Sequence, residues 1–130
     1  MRFLMTPLMA GLCAAGLLVG LAVTGADAAS YPVSGRWTYN DFSGAGPARQ
    51  CGAKFMEFRG DVRSDTGGGV SQYHNVSVTR TGASSFRVVD DFFNVQIRGK
   101  AIYTLRIIDQ DHIELHLDQG GRTIRLRRCA

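Results

Sequence analysis

The sequence predicts an all-β protein: a single-domain antiparallel meander closing into a small β-barrel with one disulfide. Three observations carry that prediction. From Val33 onward the apolar residues recur with a period of two, the mark of strands that bury one face. Clusters of Gly, Ser, Asp and Asn interrupt this alternation at short intervals, as tight turns require. No stretch of the same region keeps the helical period of 3.6 residues. A meander of this length either curls into a barrel or folds as two sheets, and closure removes the exposed edges of an open sheet.

Residues 1–28 precede that pattern and read as a secretory signal peptide. Arg2 supplies the positive start, Leu8 to Val23 carries no charge, and Ala26-Asp27-Ala28 offers small residues for cleavage. The apolar run is short of the ~20 residues of a membrane span and contains Gly11, Gly16 and Gly20. The expected mature domain is therefore 29–130, periplasmic or secreted, with no stable membrane span after cleavage. The whole chain has 15 Lys plus Arg against 11 Asp plus Glu. Removing Arg2 and Asp27 leaves 14 and 10, still a net charge of +4. Cys13 goes with the leader, leaving Cys51 and Cys129, which an oxidising compartment would join. The alternatives are two free thiols or a bridge between chains.

The strands follow in order. Residues 33–40 form the first, with Trp37 and Tyr39 on one face, and 41–50 form a loop around Ser43-Gly44-Ala45-Gly46-Pro47. Residues 52–59 set Met56 and Phe58 against Phe55, Glu57 and Arg59, and Gly60 to Gly69 reads as a loop ending in three glycines. Residues 72–80 alternate Val76 and Val78 with polar neighbours before the turn Thr81-Gly82-Ala83-Ser84. The stretch 85–98 carries Phe86 and Val88, then Phe93, Val95 and Ile97, with Asp90-Asp91 read as a turn and Gly99-Lys100 as the next. Residues 101–108 place Tyr103, Leu105 and Ile107 on one face, and Asp109-Gln110-Asp111 turns the chain. Residues 112–117 alternate Ile113, Leu115 and Leu117 with His112, Glu114 and His116. After Gly120-Gly121 the last strand alternates Ile124 and Leu126 with Arg125 and Arg127.

Gly35-Arg36-Trp37 on the first strand resembles the G-x-W of the calycin superfamily, the lipocalins and their relatives. That resemblance implies a calycin-like barrel in which the Trp packs near a closed end beneath an Arg of the last strand. Arg122, Arg125, Arg127 and Arg128 are all candidates for that Arg, each also part of a basic, anion-binding patch. Size, export and an early G-x-W strand followed by a cysteine also resemble the bacterial secreted metalloprotease inhibitors. That likeness implies a tail, here Ala29-Ser30-Tyr31-Pro32-Val33, that enters a protease cleft. In those inhibitors the disulfide joins cysteines close in sequence, whereas here Cys51 reaches to Cys129.

Candidate chemistry is sparse. His112-x-Glu114-x-His116 places three side chains on one strand face, but His112 and His116 lie too far apart to share a metal; the three read as the polar outer face. Asp90, Asp91, Asp109 and Asp111 read as turn residues. No serine sits in a nucleophile elbow, and Gly67-Gly68-Gly69 lacks the Lys-Ser/Thr of a phosphate loop. The expectation is a monomeric, non-enzymatic envelope protein with no cofactor, no metal and no nucleic-acid partner. It would hold a small apolar or amphipathic ligand, with Trp37, Tyr39, Phe86, Phe93, Tyr103 and Leu105 lining or packing the barrel. The alternative is an inhibitor of a secreted or periplasmic hydrolase, acting through its tail and the loops 41–50 and 60–69.

Overall fold

The computed structural model describes residues 30–130, so the leader expected at 1–28, and Ala29 of the tail, lie outside the described residues. The chain forms eight strands: β1 (Gly35–Thr38), β2 (Phe55–Arg59), β3 (Val62–Asp65), β4 (Gln72–Arg80), β5 (Ser85–Asn94), β6 (Ile97–Asp109), β7 (His112–Leu117) and β8 (Thr123–Cys129). Every neighbour pairs antiparallel in chain order, and β8 returns to β1 to close the barrel. The closed eight-stranded meander is consistent with a calycin-like fold. No helix occurs among the described residues.

Up-and-down connectivity sends alternate connections to opposite ends. The β2–β3, β4–β5 and β6–β7 turns share one end with the start of β1 and the finish of β8. The β1–β2, β3–β4, β5–β6 and β7–β8 connections share the other. The first end is closed by side chains. Trp37 pairs in register with Arg128 across the closing seam, so both point inward, and the Arg128 guanidinium lies 4.4 Å from the indole. Such a contact contributes about 0.5–2 kcal/mol according to its desolvation. Arg128 is held there by the carbonyls of Ser34 and Gln110. Of the four arginines, Arg128 is therefore the one that meets Trp37.

The tail completes this closure. Tyr31 is buried, its N–H donates to the Gly60 carbonyl at 3.1 Å, and its ring meets Phe58 edge-on at 5.0 Å. From Tyr31 onward the tail belongs to the barrel instead of hanging free. Above it Trp37, Met56, Phe58, Val88, Tyr103, Leu105, Ile113, Leu115 and Leu126 fill the interior, as the bore of an eight-stranded barrel allows. Fully burying a large apolar side chain contributes about 1.5–3 kcal/mol.

The Cys51–Cys129 disulfide is formed, spanning 78 residues with 5.1 Å between Cα atoms. It pins a descending segment of the long β1–β2 connection to β8, where Ala48 bridges Cys129 in parallel. A disulfide is compatible with an oxidising location.

Several expected elements change. The first strand shortens from 33–40 to β1, and the second from 52–59 to β2. The segment 60–69, expected as a loop, contains β3, whose Arg63 and Asp65 point inward and are buried. In β4 the register shifts between Asn75 and Ser77, leaving Val76 as the extra residue of a bulge and 45% exposed. Tyr73 and Asn75 face inward before the bulge and Val78 after it. The turn expected at Gly99-Lys100 lies instead at Val95-Gln96, and both glycine and lysine are inside β6. Asp90-Asp91 is not a turn either: Asp90 holds the inward phase of Phe86, Val88 and Phe92. That phase turns Phe93 outward, where it is 65% exposed and lines no part of the interior.

Candidate functional site

Arg63 is the one cation carried into the interior by β3, and its neighbours are set by register. Tyr73 of β4 and Phe58 of β2 are its cross-strand partners, and the guanidinium lies 3.7 Å from the Tyr73 ring centre. Its Nε–H donates to Asp90 Oδ2 at 3.0 Å, and Nη1 makes a long contact with the Met56 sulfur at 3.6 Å. Asp90 comes from the far side of β4 and is fully buried. It accepts two further hydrogen bonds, from the Tyr103 hydroxyl at 2.9 Å and from Asn75 Nδ2 at 3.0 Å. Three donors around one carboxylate keep a buried charge tolerable.

The electrostatics follow. Burial raises the Tyr103 phenol far above its ordinary value against the opposing pull of Arg63. Burial and then the Asp90 charge raise Tyr31, whose buried hydroxyl has no hydrogen-bond partner among the described residues. Burial works against the charge on Arg63, but Tyr103, Asp90 and Tyr31 outweigh it and raise its pKa. The cluster is a cation on a carboxylate, walled by protonated phenols.

Above the cluster lies a cavity of about 200 Å³ at the open end of the barrel. Arg63 and Tyr73 form polar parts of its wall, Leu115, Leu117 and Ile124 the apolar part, and Arg122 the rim. Tyr39 donates its hydroxyl to Asp65 at 2.7 Å; burial and that carboxylate both raise its pKa. The glycines after β3 fit over this mouth. A Cβ at Gly67 would fall 2.8 Å from the Tyr39 ring, and the Gly67 N–H donates to Asp65 at 2.8 Å. Asp65 is thus already engaged, leaving Arg63 and Arg122 as the cations facing the cavity.

The residues expected to line or pack the barrel divide by position. Trp37, Tyr103 and Leu105 are buried core, Tyr39 and Phe86 are half-buried against it, and only Tyr39 reaches the mouth cavity. The four arginines expected as a patch are dispersed. Arg128 covers Trp37 and Arg122 lines the mouth. Arg125 pairs with Glu114 at 3.4 Å and lies over Phe42. Arg127 donates to the carbonyls of Asp41, Ala45, Gly46 and Pro47. The strand of histidines is occupied as an outer face. His112 bonds Asp109 and the Gly44 carbonyl, each at 2.7 Å, Glu114 sits between Arg106 and Arg125, and His116 bonds Thr123.

The sequence reading does not single out Arg63, Asp65, Asn75 or Tyr73, and it takes Asp90 as a turn residue and Tyr31 as part of a protease-entering tail. Tracking every second residue through the polar positions of 62–65 and 86–92, instead of apolar ones alone, would have found Arg63, Asp65 and Asp90. Comparison with protein-family models, with curated proteins and with solved structures finds no match for this chain.

Proposed function

We propose that this is an exported, non-enzymatic binding barrel that takes a small amphipathic acid at its mouth. The observation that carries the proposal is a buried ion pair under an open cavity. A buried pair such as Arg63–Asp90 stabilises no better than well-packed apolar residues, so stability alone gives little reason for a guanidinium at the floor of the mouth. A ligand carboxylate would meet Arg63 and Arg122 while its apolar part rests on Leu115, Leu117 and Ile124. The cavity volume, about 200 Å³, falls below the roughly 300–1,000 Å³ of drug-sized pockets. That limits the ligand to a single ring or a short chain. The test is native mass spectrometry of protein isolated from its host, followed by titration with short-chain fatty acids and single-ring aromatic acids. A bound acid lost on Arg63→Met supports the proposal. Acids that bind the variant and the parent equally refute it.

A second reading, a hydrolase inhibitor, draws on a different observation. The exposed loop 41–50 is held in one shape by the Arg127 bonds, by His112 on Gly44 and by the disulfide after it. A preorganised loop loses little entropy on binding, which is how a blocking loop gains affinity. Arg127→Ala would free the loop; under this reading it weakens inhibition of a partner hydrolase without lowering acid binding at the mouth.

A further inference from the structure

Three large apolar side chains cluster at the tip of the β5–β6 hairpin: Phe93, Val95 and Ile97, exposed by 65, 84 and 62%. Register explains why this tip projects. β4 pairs with β5 only as far as His74 with Asp91, and β7 with β6 only as far as Tyr103 with Leu117. β5 and β6 continue together to Asn94 with Ile97, so the ribbon extends beyond both neighbours at the mouth end. Gly99 permits its tight inner face, since a Cβ there would fall 2.5 Å from the Phe92 ring.

Folding gives no reason for Val95. It holds a φ of +36°, a conformation costly for a β-branched residue, and its exposure means that no burial offsets the cost. Cations flank the apolar tip. Arg98 lies 5.4 Å over the Phe93 ring, and Lys100 stands opposite Asp91 in register, with His74 beyond. Arg98, Lys100, His74 and Phe93 line an open hollow of about 460 Å³, in which Asp91 is the opposing carboxylate.

We propose that this hairpin docks the protein onto an anionic phospholipid surface, Phe93, Val95 and Ile97 entering the interfacial layer while Arg98 and Lys100 meet lipid phosphates. A convex apolar tip matches a deformable layer, and a net charge of +4 complements an anionic one. A second copy is a poorer occupant, because Arg98 and Lys100 on the free edge repel their like and hinder edge-to-edge pairing. Docking by this tip brings the mouth, at the same end of the barrel, to the bilayer.

The test is flotation of the protein as isolated from its host with phosphatidylcholine vesicles, with and without phosphatidylglycerol. Binding is expected to require phosphatidylglycerol and to weaken with salt. Arg98→Gln with Lys100→Gln is expected to weaken it about 30-fold, at about fivefold per cation. Phe93→Ser weakens it further at unchanged fold. Val95→Gly separates folding from docking: it raises the urea midpoint, by relieving the strained φ, and lowers vesicle binding. Binding that ignores phosphatidylglycerol, or that survives Phe93→Ser and Val95→Gly, overturns the proposal, as does self-association through the tip without lipid.

Discussion

Replacing Asp90 by Asn tests the interior cluster most severely. The two side chains have the same shape, so the change removes charge and one acceptor while leaving the packing intact. Asp90 is fully buried and accepts from Arg63, Tyr103 and Asn75 at 2.9–3.0 Å. At an effective dielectric of about 20, unit charges at that separation attract by about 5 kcal/mol. Removing one partner of a buried pair typically costs about 3–5 kcal/mol, because the other charge stays buried and unpaired. For a domain near a hundred residues that lowers Tm on the order of 20 °C. Arg63→Met should cost a comparable amount, because it strands the buried Asp90 carboxylate without its cation. The double variant, with neither charge, should be less destabilised than the two single costs combined, by about 2 kcal/mol or more. The assay is urea unfolding of the oxidised chain as a double-mutant cycle. Single costs under about 1 kcal/mol that add within about 0.5 kcal/mol would show that the two side chains are not coupled as a buried ion pair.

Other perturbations have equally definite outcomes. Replacing Cys51 and Cys129 by Ser releases a loop whose ends are separated by 78 residues; in the chain-entropy treatment this costs about 4.5 kcal/mol, read as a fall in the urea midpoint. Bonding to Asp109 raises the His112 pKa above 6.5, and bonding to His112 lowers that of Asp109 below 3.8. The His112 contribution is therefore full below pH 6.5 and lost as pH rises through the folded value. The Asp109 contribution is full above pH 3.8 and lost as pH falls through its folded value. Stability of the parent relative to Asp109→Asn should accordingly peak between those limits and shrink on the alkaline side; a pH-independent difference in urea midpoint would contradict the assignment. Arg128→Ala uncovers Trp37 and should red-shift and quench its fluorescence while lowering stability by about 0.5–2 kcal/mol or more.

What was legible in the sequence followed from period and punctuation. β7 and β8 carry apolar residues at alternate positions between clear turns; β4 is bounded as clearly, although its bulge takes Val76 out of the phase of Val78, and the boundaries of all three fall within a residue or two of the spacing. The closed meander and the disulfide follow from the same pattern with the cysteine count. The site was not legible because its residues break the pattern that identifies strands. Arg63 and Asp65 make β3 look polar on both faces, and the glycines beyond it look like more loop. Asp90 occupies an inward position that apolar counting reads as an interruption, which makes the phase restart at Phe93. The same apolar count puts the hairpin turn at Gly99-Lys100, where glycine in fact serves close packing under Phe92. Of four neighbouring arginines, only closure of the barrel distinguishes Arg128, opposite Trp37, from Arg127, which faces out onto the loop.

The proposed binding of small acids at the mouth, on Arg63, can be read directly. The most direct measurement is a two-dimensional NMR titration with a single-ring aromatic acid, following the Arg63 Nε–H, the amides of Tyr39, Tyr73 and Leu117, and the Trp37 indole. Shifts are expected at Arg63 and the mouth amides, none at Trp37 at the closed end, and their loss in Arg63→Met. Shifts confined to loop 41–50 or the hairpin tip, with Arg63 unmoved across the whole panel of small acids, would contradict it.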